Sequence, residues 1–315
     1  MTCGILNVYK EAGMTSFHAV AVIRRLTGEK KVGHTGTLDP DATGVLPICI
    51  GKATKLVGML TDTDKEYKAV MKLGIKTDTQ DISGTVIEKL DDSSIRNIID
   101  DEKIKEAFKT LTGNILQVPP MYSALKVNGV KLVDAARKGR TIERNPRPVT
   151  VYSYSGLNID YDNLEITFRI KCSKGTYVRT ICEDIGSLLG VPSCLKSLQR
   201  TSAAGFNISD SITLKQAEYY ASSGILERYI IPVDSLLLAY PYLIVSKDSR
   251  PLLASGNHLY KDDFDLSDPH DSISGEKGGM LNEGTYRIYS YDGTFYALYD
   301  FDNVNGYYKC RKMFY

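Results

Sequence analysis

Residues 31–55, KVGHTGTLDPDATGVLPICIGKATK, decide how the rest of this chain is read. They place one carboxylate, Asp39, in a Gly- and Thr-rich turn between a basic entry and an apolar exit. Gly33, Gly36 and Gly44 permit tight backbone geometry, while Pro40 and Pro47 stiffen the segment against the entropy that ordering a loop costs. Residues 33–47 carry too little apolar surface to serve as core, so their own hydrogen bonds or a function must hold them. As bare chemistry, an aspartate among His34, Thr35, Thr37 and Thr43 suits a nucleophile or a general base. The run Asp39-Pro40-Asp41 would equally build a plain Asx turn, and the loop by itself does not separate the two readings.

Outward from that loop, the pattern alternates between strands and helices. Residues 4–9 read as a strand, and Thr15 and Ser16 can cap a helix with Phe17, Val20, Ile23 and Leu26 on its apolar face. Residues 53–60 fit another helix. Tyr67, Ala69, Met71 and Leu73 alternate with Glu66, Lys68 and Lys72, as a half-buried strand requires. Ile104, Phe108 and Leu111 mark a helix, 149–154 and 164–171 read as strands paired around a turn at 160–163, and 176–189 as a helix closed by Gly190. Without a strict βαβ repeat, the mixture favours an α+β domain. Near Pro241 the character changes, suggesting a separately folded unit: YLIVS, a polar stretch at 262–279 expected to be a mobile loop, then the hairpin RIYSYDGTFYALYDF turning at Asp292-Gly293.

Bulk composition narrows the setting more than the chemistry. The chain has 315 residues, long enough for two domains with real cores, and its 39 Lys+Arg nearly balance 38 Asp+Glu. That average hides an asymmetry. Residues 121–148 hold Lys126, Lys131, Arg137, Lys138, Arg140, Arg144 and Arg147 against Asp134 and Glu143, a local excess that attracts phosphates, whereas 240–315 carry eight basic and eleven acidic residues. The same basic stretch reads as a hairpin followed by a helix, which would also suit an ordinary solvated face. The six cysteines form no CxxC pair and match no zinc spacing, no apolar run reaches the roughly 20 residues of a membrane helix, and no signal peptide is apparent. A cytoplasmic setting is expected, with no membrane association. There is no dinucleotide fingerprint or Walker loop.

GHTGTLDPDATGVLP resembles the catalytic motif of the TruB family of tRNA pseudouridine synthases. Further matches follow in order: GILNVYKEAGMTS, DKEYKAVMKLGIKTDTQDISG, PPMYSALKVNGVKL, CSKGTYVRTICEDIG and LQRTSAAGF. Two departures stand out, Glu11 where the family usually has proline after its lysine, and Gln199 where it often has arginine. The resemblance implies a catalytic domain over 1–238, with a mixed, largely antiparallel sheet flanked by helices and a basic RNA-gripping segment at about 121–148, and a small PUA-like β-domain over 239–315. It implies isomerisation of the T-loop uridine at position 55 of tRNA, with no cofactor, no metal and no protein partner. A monomer is expected.

The resemblance also assigns roles. Asp39 would be the nucleophile, Arg179 the guanidinium that favours its ionised form, and Tyr67 the ring that stacks on the target base and helps remove its C5 proton. His34 would fill the space the flipped base leaves, Tyr177 and Leu198 would line the pocket, and Lys10 would contact substrate. Two other readings compete. One is a tRNA-folding or RNA-binding protein without essential catalysis; the other is a glycosidic hydrolase, against which stands the lack of a second carboxylate nearby in sequence other than Asp41. Product, binding without product, or free base from a T-arm stem-loop would separate the three.

Overall fold

The apolar residues of GILNVYK fall on both sides of the strand, so this strand needs cover on both faces, and the surrounding elements supply it. The computed structural model describes residues 2–265, 273–278 and 283–315. The first half runs β1 (Gly4–Lys10), α1 (Ser16–Thr27), β2 (Val32–His34), β3 (Thr43–Ile50), α2 (Val57–Thr61), β4 (Lys65–Leu73), β5 (Ile75–Thr77), β6 (Val86–Lys89), α3 (Asp92–Ile98) and α4 (Asp101–Thr110). The middle holds β7 (Gly113–Gln117), β8 (Lys126–Val127), β9 (Val130–Lys131), α5 (Leu132–Ala136), β10 (Arg147–Asp160), β11 (Glu165–Cys172), α6 (Val178–Leu189) and β12 (Ser193–Ala203). The last part holds β13 (Phe206–Asn207), β14 (Ile212–Thr213), α7 (Leu214–Ser222), β15 (Ile230–Ile231), β16 (Tyr242–Val245), α8 (Arg250–Ala254), β17 (Thr285–Ser290), β18 (Phe295–Asp302) and β19 (Tyr307–Met313).

The main sheet has the order β14-β1-β3-β12-β4-β11-β10-β7 and is antiparallel except at β1/β14 and β3/β12. This is the α+β class expected. Its two faces bury different residues of the same strands. Leu6 and Val8 of β1 pack with Leu46, Ile48 and Ile50 of β3 under α1 and α7, while Ile5, Val45 and Cys49 face a separate cluster. A further core joins Ala69, Met71 and Leu73 of β4 to α4, α6, β10 and β11. Tyr67 and Leu198 pack against both of the large clusters, at the seam between them.

Several local expectations change in detail. Thr15 does cap α1, its side chain accepting from the His18 N–H, but Phe17 is 75% exposed and off the apolar face. Ser16, Ala19, Val20 and Ile23 form the i, i+3, i+4, i+7 stripe that meets the sheet, and Phe17 sits about 100° round the helix from Ser16. The helix expected at 53–60 is split into a 3-10 turn over Gly51–Leu56, entered through Gly51 at φ 63°, followed by α2. The hairpin and helix of the basic stretch are β8–β9 and α5, and α6 ends at Gly190 in the left-handed conformation.

Downstream, β16-β17-β18-β19 make a four-stranded sheet with the β17–β18 hairpin turning at Asp292-Gly293. Of the stretch read as a mobile loop, residues 266–272 and 279 lie outside the described residues; the described part is pinned at both ends by buried Phe264 and Ile273. The sheet is also bonded to the body. Leu298 and Phe314 share a cluster with Ile5, Val45, Leu56 and Phe206, the Tyr289 hydroxyl donates to Asp234 at 2.9 Å, and Lys55 and Met313 are joined at 2.7 Å.

Gly44 is where the two halves of the catalytic sheet come closest. It pairs with Arg200 across the parallel β3/β12 joint at φ 104°, and a Cβ there would lie 2.2 Å from the Arg200 carbonyl oxygen. Gly44→Ala should therefore destabilise the fold by about 3–5 kcal/mol, since backbone must move on both strands and the φ is strained for any L side chain. Thermal unfolding checks this, and a midpoint within a degree or two of the parent would show that the joint yields freely.

Candidate active site

A loop that is poor in apolar residues can be rigid only if its polar groups are spoken for. Here they are. The Ser16 hydroxyl donates to the Leu38 carbonyl at 3.1 Å and accepts from the Leu38 N–H at 2.9 Å; the Pro40 carbonyl accepts from the Gly13 N–H and from the Lys10 ammonium; the Asp39 carbonyl accepts from the Ala42 N–H at 3.1 Å. Arg200 donates from Nε to Val45 at 2.7 Å and from Nη2 to Gly36 at 3.1 Å, closing the loop from the β12 side. Asp39 stands at the tip of this braced segment, its side chain 45% exposed to a cleft of about 780 Å³.

Arg179, the second residue of α6, reaches Asp39 from the other half of the chain. Its Nε lies 3.1 Å from Oδ2 and its Nη2 3.5 Å from Oδ1. The guanidinium is itself fixed, with only 6% of its side chain exposed: Nη1 donates to the Thr79 carbonyl at 3.0 Å and Nη2 to the Tyr122 carbonyl at 2.8 Å, and Asp81 lies 3.6 Å from Nη1. Burial pushes the Asp39 carboxyl above the ordinary range, Arg179 and Lys10 pull against that rise, and Asp81 and Asp41 add to it. The direction differs from the one a neighbouring guanidinium alone would give, because loss of water outweighs the pair. What Arg179 does is limit the rise.

Tyr67 lines the same cleft from β4, with Leu198, Tyr177 and Arg200. Arg200 stands directly opposite Tyr67 on the neighbouring strand, and burial raises the Tyr67 pKa while the Arg200 charge opposes the rise. Tyr177 sits at the start of α6, its backbone held at both ends by the buried Gln117 amide at 2.8 and 3.1 Å. His34 lies beside the cleft lining. Its Nδ1 accepts from the Gly36 N–H at 3.2 Å, which leaves the proton of the neutral ring on Nε2, and burial together with Arg200 lowers its pKa. Its ring meets the exposed Phe17 edge-on at 5.6 Å.

Lys10 differs from its expected role. It is fully buried, and its ammonium is spent on the carbonyls of Glu11, Met14 and Pro40 at 3.0, 2.8 and 2.8 Å. Burial brings its pKa down to about 8 despite Asp41 and Asp39. Three carbonyls leave no donor for a ligand, so Lys10 braces the Asp39 loop and does not face the cleft. The Glu11 side chain is exposed and only its carbonyl is engaged by Lys10, while Gln199 donates to the Tyr9 hydroxyl at 3.2 Å. Both departures from the family pattern are thus accommodated locally.

Of the basic segment, Arg147 lines the cleft with Tyr122, Ser123 and Val133, while Arg137, Lys138 and Arg140 are exposed just beyond α5. Reading the sequence by motif missed Ser16, Asp81 and Arg200. A polar side chain that falls on the buried stripe of a helix, as Ser16 does, is a signal that could have found the first; Asp81 and Arg200 become visible only when strands far apart in sequence are paired. Among the described residues no three His, Cys, Asp or Glu side chains converge as a metal site would, and no helix is long and apolar enough to cross a membrane.

Residues 24–178 match the model described as TruB family pseudouridylate synthase (N terminal domain), and residues 179–238 match that of the tRNA pseudouridylate synthase B C-terminal domain. The chain is 41% identical over 317 residues to the tRNA pseudouridine synthase B of Lachnoclostridium phytofermentans, with 99% of each chain covered. It is 43% identical over 298 residues to the protein of the same name in Clostridium novyi, with 94% of each covered. It is also similar to a chain in the crystal structure of a Cbf5-Nop10-Gar1 complex, at a TM-score of 0.67 and 24% identity over 100% of this chain and 85% of that one, a likeness of fold.

Because Arg179 opposes the rise in the Asp39 pKa, Arg179→Gln should send it higher still, and the carboxyl should take up its proton at a higher pH than in the parent. Following the Asp39 carboxyl carbon by NMR through an acid titration measures this. An unmoved or lowered midpoint would mean that the two side chains do not interact in solution.

Proposed function

The chain belongs to the TruB family of pseudouridine synthases, which are isomerases, and we propose that it converts the T-loop uridine at position 55 of tRNA into pseudouridine, with Asp39 as nucleophile, after the base is flipped from its stack. The observation that carries this reading is the Asp39–Arg179 contact at 3.1 Å on a cleft that Tyr67 also lines. A cleft-facing carboxylate beside a fixed cation suits attack on, or proton removal from, the sugar once the N-glycosidic bond weakens. The ionised form is required, so the rate falls as pH drops through the raised Asp39 pKa.

The remaining residues take the roles that follow from their positions. Extruding a stacked base costs a few kcal/mol, and the neutral His34 ring, paired with Phe17 beside the cleft, is suited to occupying the gap. The flat face of Tyr67 offers the flipped base a stacking partner, with Leu198 and Tyr177 completing an apolar lining. After the base turns and C5 bonds to the sugar, the C5–H bond breaks, its electron pair restores the C5–C6 double bond, and N1 takes up a proton. Substrate and product have one composition, so no redox or group-transfer partner enters the balance. The Tyr67 hydroxyl is the proposed relay at this step, its oxygen accepting the C5 proton as its own O–H proton is passed on, so that the phenol ends as it began. The exposed cations beyond α5 are proposed to hold tRNA phosphates, with the C-terminal sheet over 239–315 as a further RNA-binding surface.

Asp39→Asn keeps shape and removes charge, so pseudouridine formation on a T-arm stem-loop should be lost while binding is largely kept; activity within about tenfold of the parent removes Asp39 from its role, and intact binding with no parent activity favours an RNA-binding protein. Neutralising Arg137, Lys138 and Arg140 together should weaken stem-loop binding and flatten its salt dependence by roughly 0.7–0.9 unit of slope for each phosphate no longer neutralised. An unchanged slope would show those cations to be merely solvated.

A further inference from the structure

Arg200 is 2% exposed, yet among the described residues no carboxylate lies within ion-pair distance of it. A buried cation is costly unless its donors are met, and an apolar residue would fill the same space more cheaply if support were all that the site required. Its donors are met by neutral oxygens on both sides of the Asp39 loop. Nε holds the Val45 carbonyl at 2.7 Å, on the exit side of the loop, and Nη2 holds the Gly36 carbonyl at 3.1 Å, on its entry side.

The sheet dictates this meeting. Arg200 pairs directly with Tyr67 across the antiparallel β12/β4 ladder and with Gly44 across the parallel β12/β3 joint, so one residue of β12 touches both strands that carry the chemistry. The β12/β4 register shifts immediately afterwards, between Arg200 and Ser202, as bulges do where a sheet must aim a side chain. Directly paired residues of neighbouring strands stand side by side, so Arg200 places a fixed positive charge next to the Tyr67 phenol. The same positive charge is one of the influences that keep His34 neutral.

We propose that Arg200 is a positioning residue that sets Tyr67 and the Asp39 loop relative to one another and acts on the reaction through that placement. This rests on the reading of the cleft as a pseudouridine synthase site. Arg200 reaches no substrate atom in this scheme. It fixes the distance and direction between the nucleophile and the ring, and a misplacement of about 1 Å in such a pair costs on the order of 100-fold in rate.

The test compares the full-length parent with Arg200→Met, Arg200→Lys, Tyr67→Phe and the Met/Phe double variant, measuring single-turnover conversion of a T-arm stem-loop beside its equilibrium binding and thermal unfolding. Arg200→Met should slow conversion about 100-fold with binding within about threefold of the parent, Arg200→Lys should recover part of that loss, and in the Tyr67→Phe background Arg200→Met should cost clearly less than it does in the parent, the remaining cost coming from the loosened Asp39 loop. Where the Met variant unfolds, the Lys variant decides: slowed conversion at parent affinity and parent stability supports the role. Conversion at the parent rate in either variant, a loss confined to binding, or losses that multiply in the double variant overturn it. A parent that makes no pseudouridine overturns the site reading and this inference together, whereas a working parent beside unslowed Arg200 variants overturns the inference alone.

Discussion

Asp39 and Arg179 are 140 positions apart in sequence and 3.1 Å apart in space, and the fold of the catalytic body can be understood as what that contact demands. A carboxylate in a cleft loses water and its pKa rises; a cation brought to it limits the rise, but only if the cation cannot swing away. Arg179 is accordingly anchored on the carbonyls of Thr79 and Tyr122 as well as on Asp39, so three separate loops converge on one guanidinium. Asp81 shares the same guanidinium from the side and adds to the rise in Asp39. The pair thus stands between opposing fields, with burial, Asp81 and Asp41 raising the Asp39 pKa and Arg179 and Lys10 lowering it.

The loop that presents Asp39 meets the opposite problem, since it has little apolar surface to hold it. Two buried cations solve it without a single carboxylate: Lys10 gathers the carbonyls of Glu11, Met14 and Pro40, and Arg200 gathers those of Gly36 and Val45. Using neutral oxygens keeps the positive charge uncancelled, and Asp39 is pulled toward its ionised form by Lys10 as well as by Arg179. The position after Lys10 tolerates Glu11 because the bond made there is to the backbone.

Much of this was legible in the sequence, for identifiable reasons. The period-two alternation of Tyr67, Ala69, Met71 and Leu73 is a local property, and so are the Thr15 cap and the Gly190 stop. Asp39 and Arg179 stood out because they lie in long, specific motifs. What was hidden depends on partners distant in the chain. Phe17 looked like core until the helix phase was set by Ser16, and Lys10 looked like a surface contact until the loop folded over it. The importance of Arg200 appears only when β12 is paired on one side with β3 and on the other with β4.

The C-terminal sheet carries the same point to the scale of the whole chain. Composition divides the sequence near Pro241, yet Leu298 and Phe314 lie in one cluster with Ile5 and Val45. Those two residues belong to β1 and β3, and Val45 is the residue whose carbonyl Arg200 holds. The far face of the strands that carry the nucleophile loop is therefore covered in part by the tail. A chain without its last strands would expose apolar surface directly behind the loop, and removal of that cover would reach Asp39 through β3 before any weakening of RNA binding could be read.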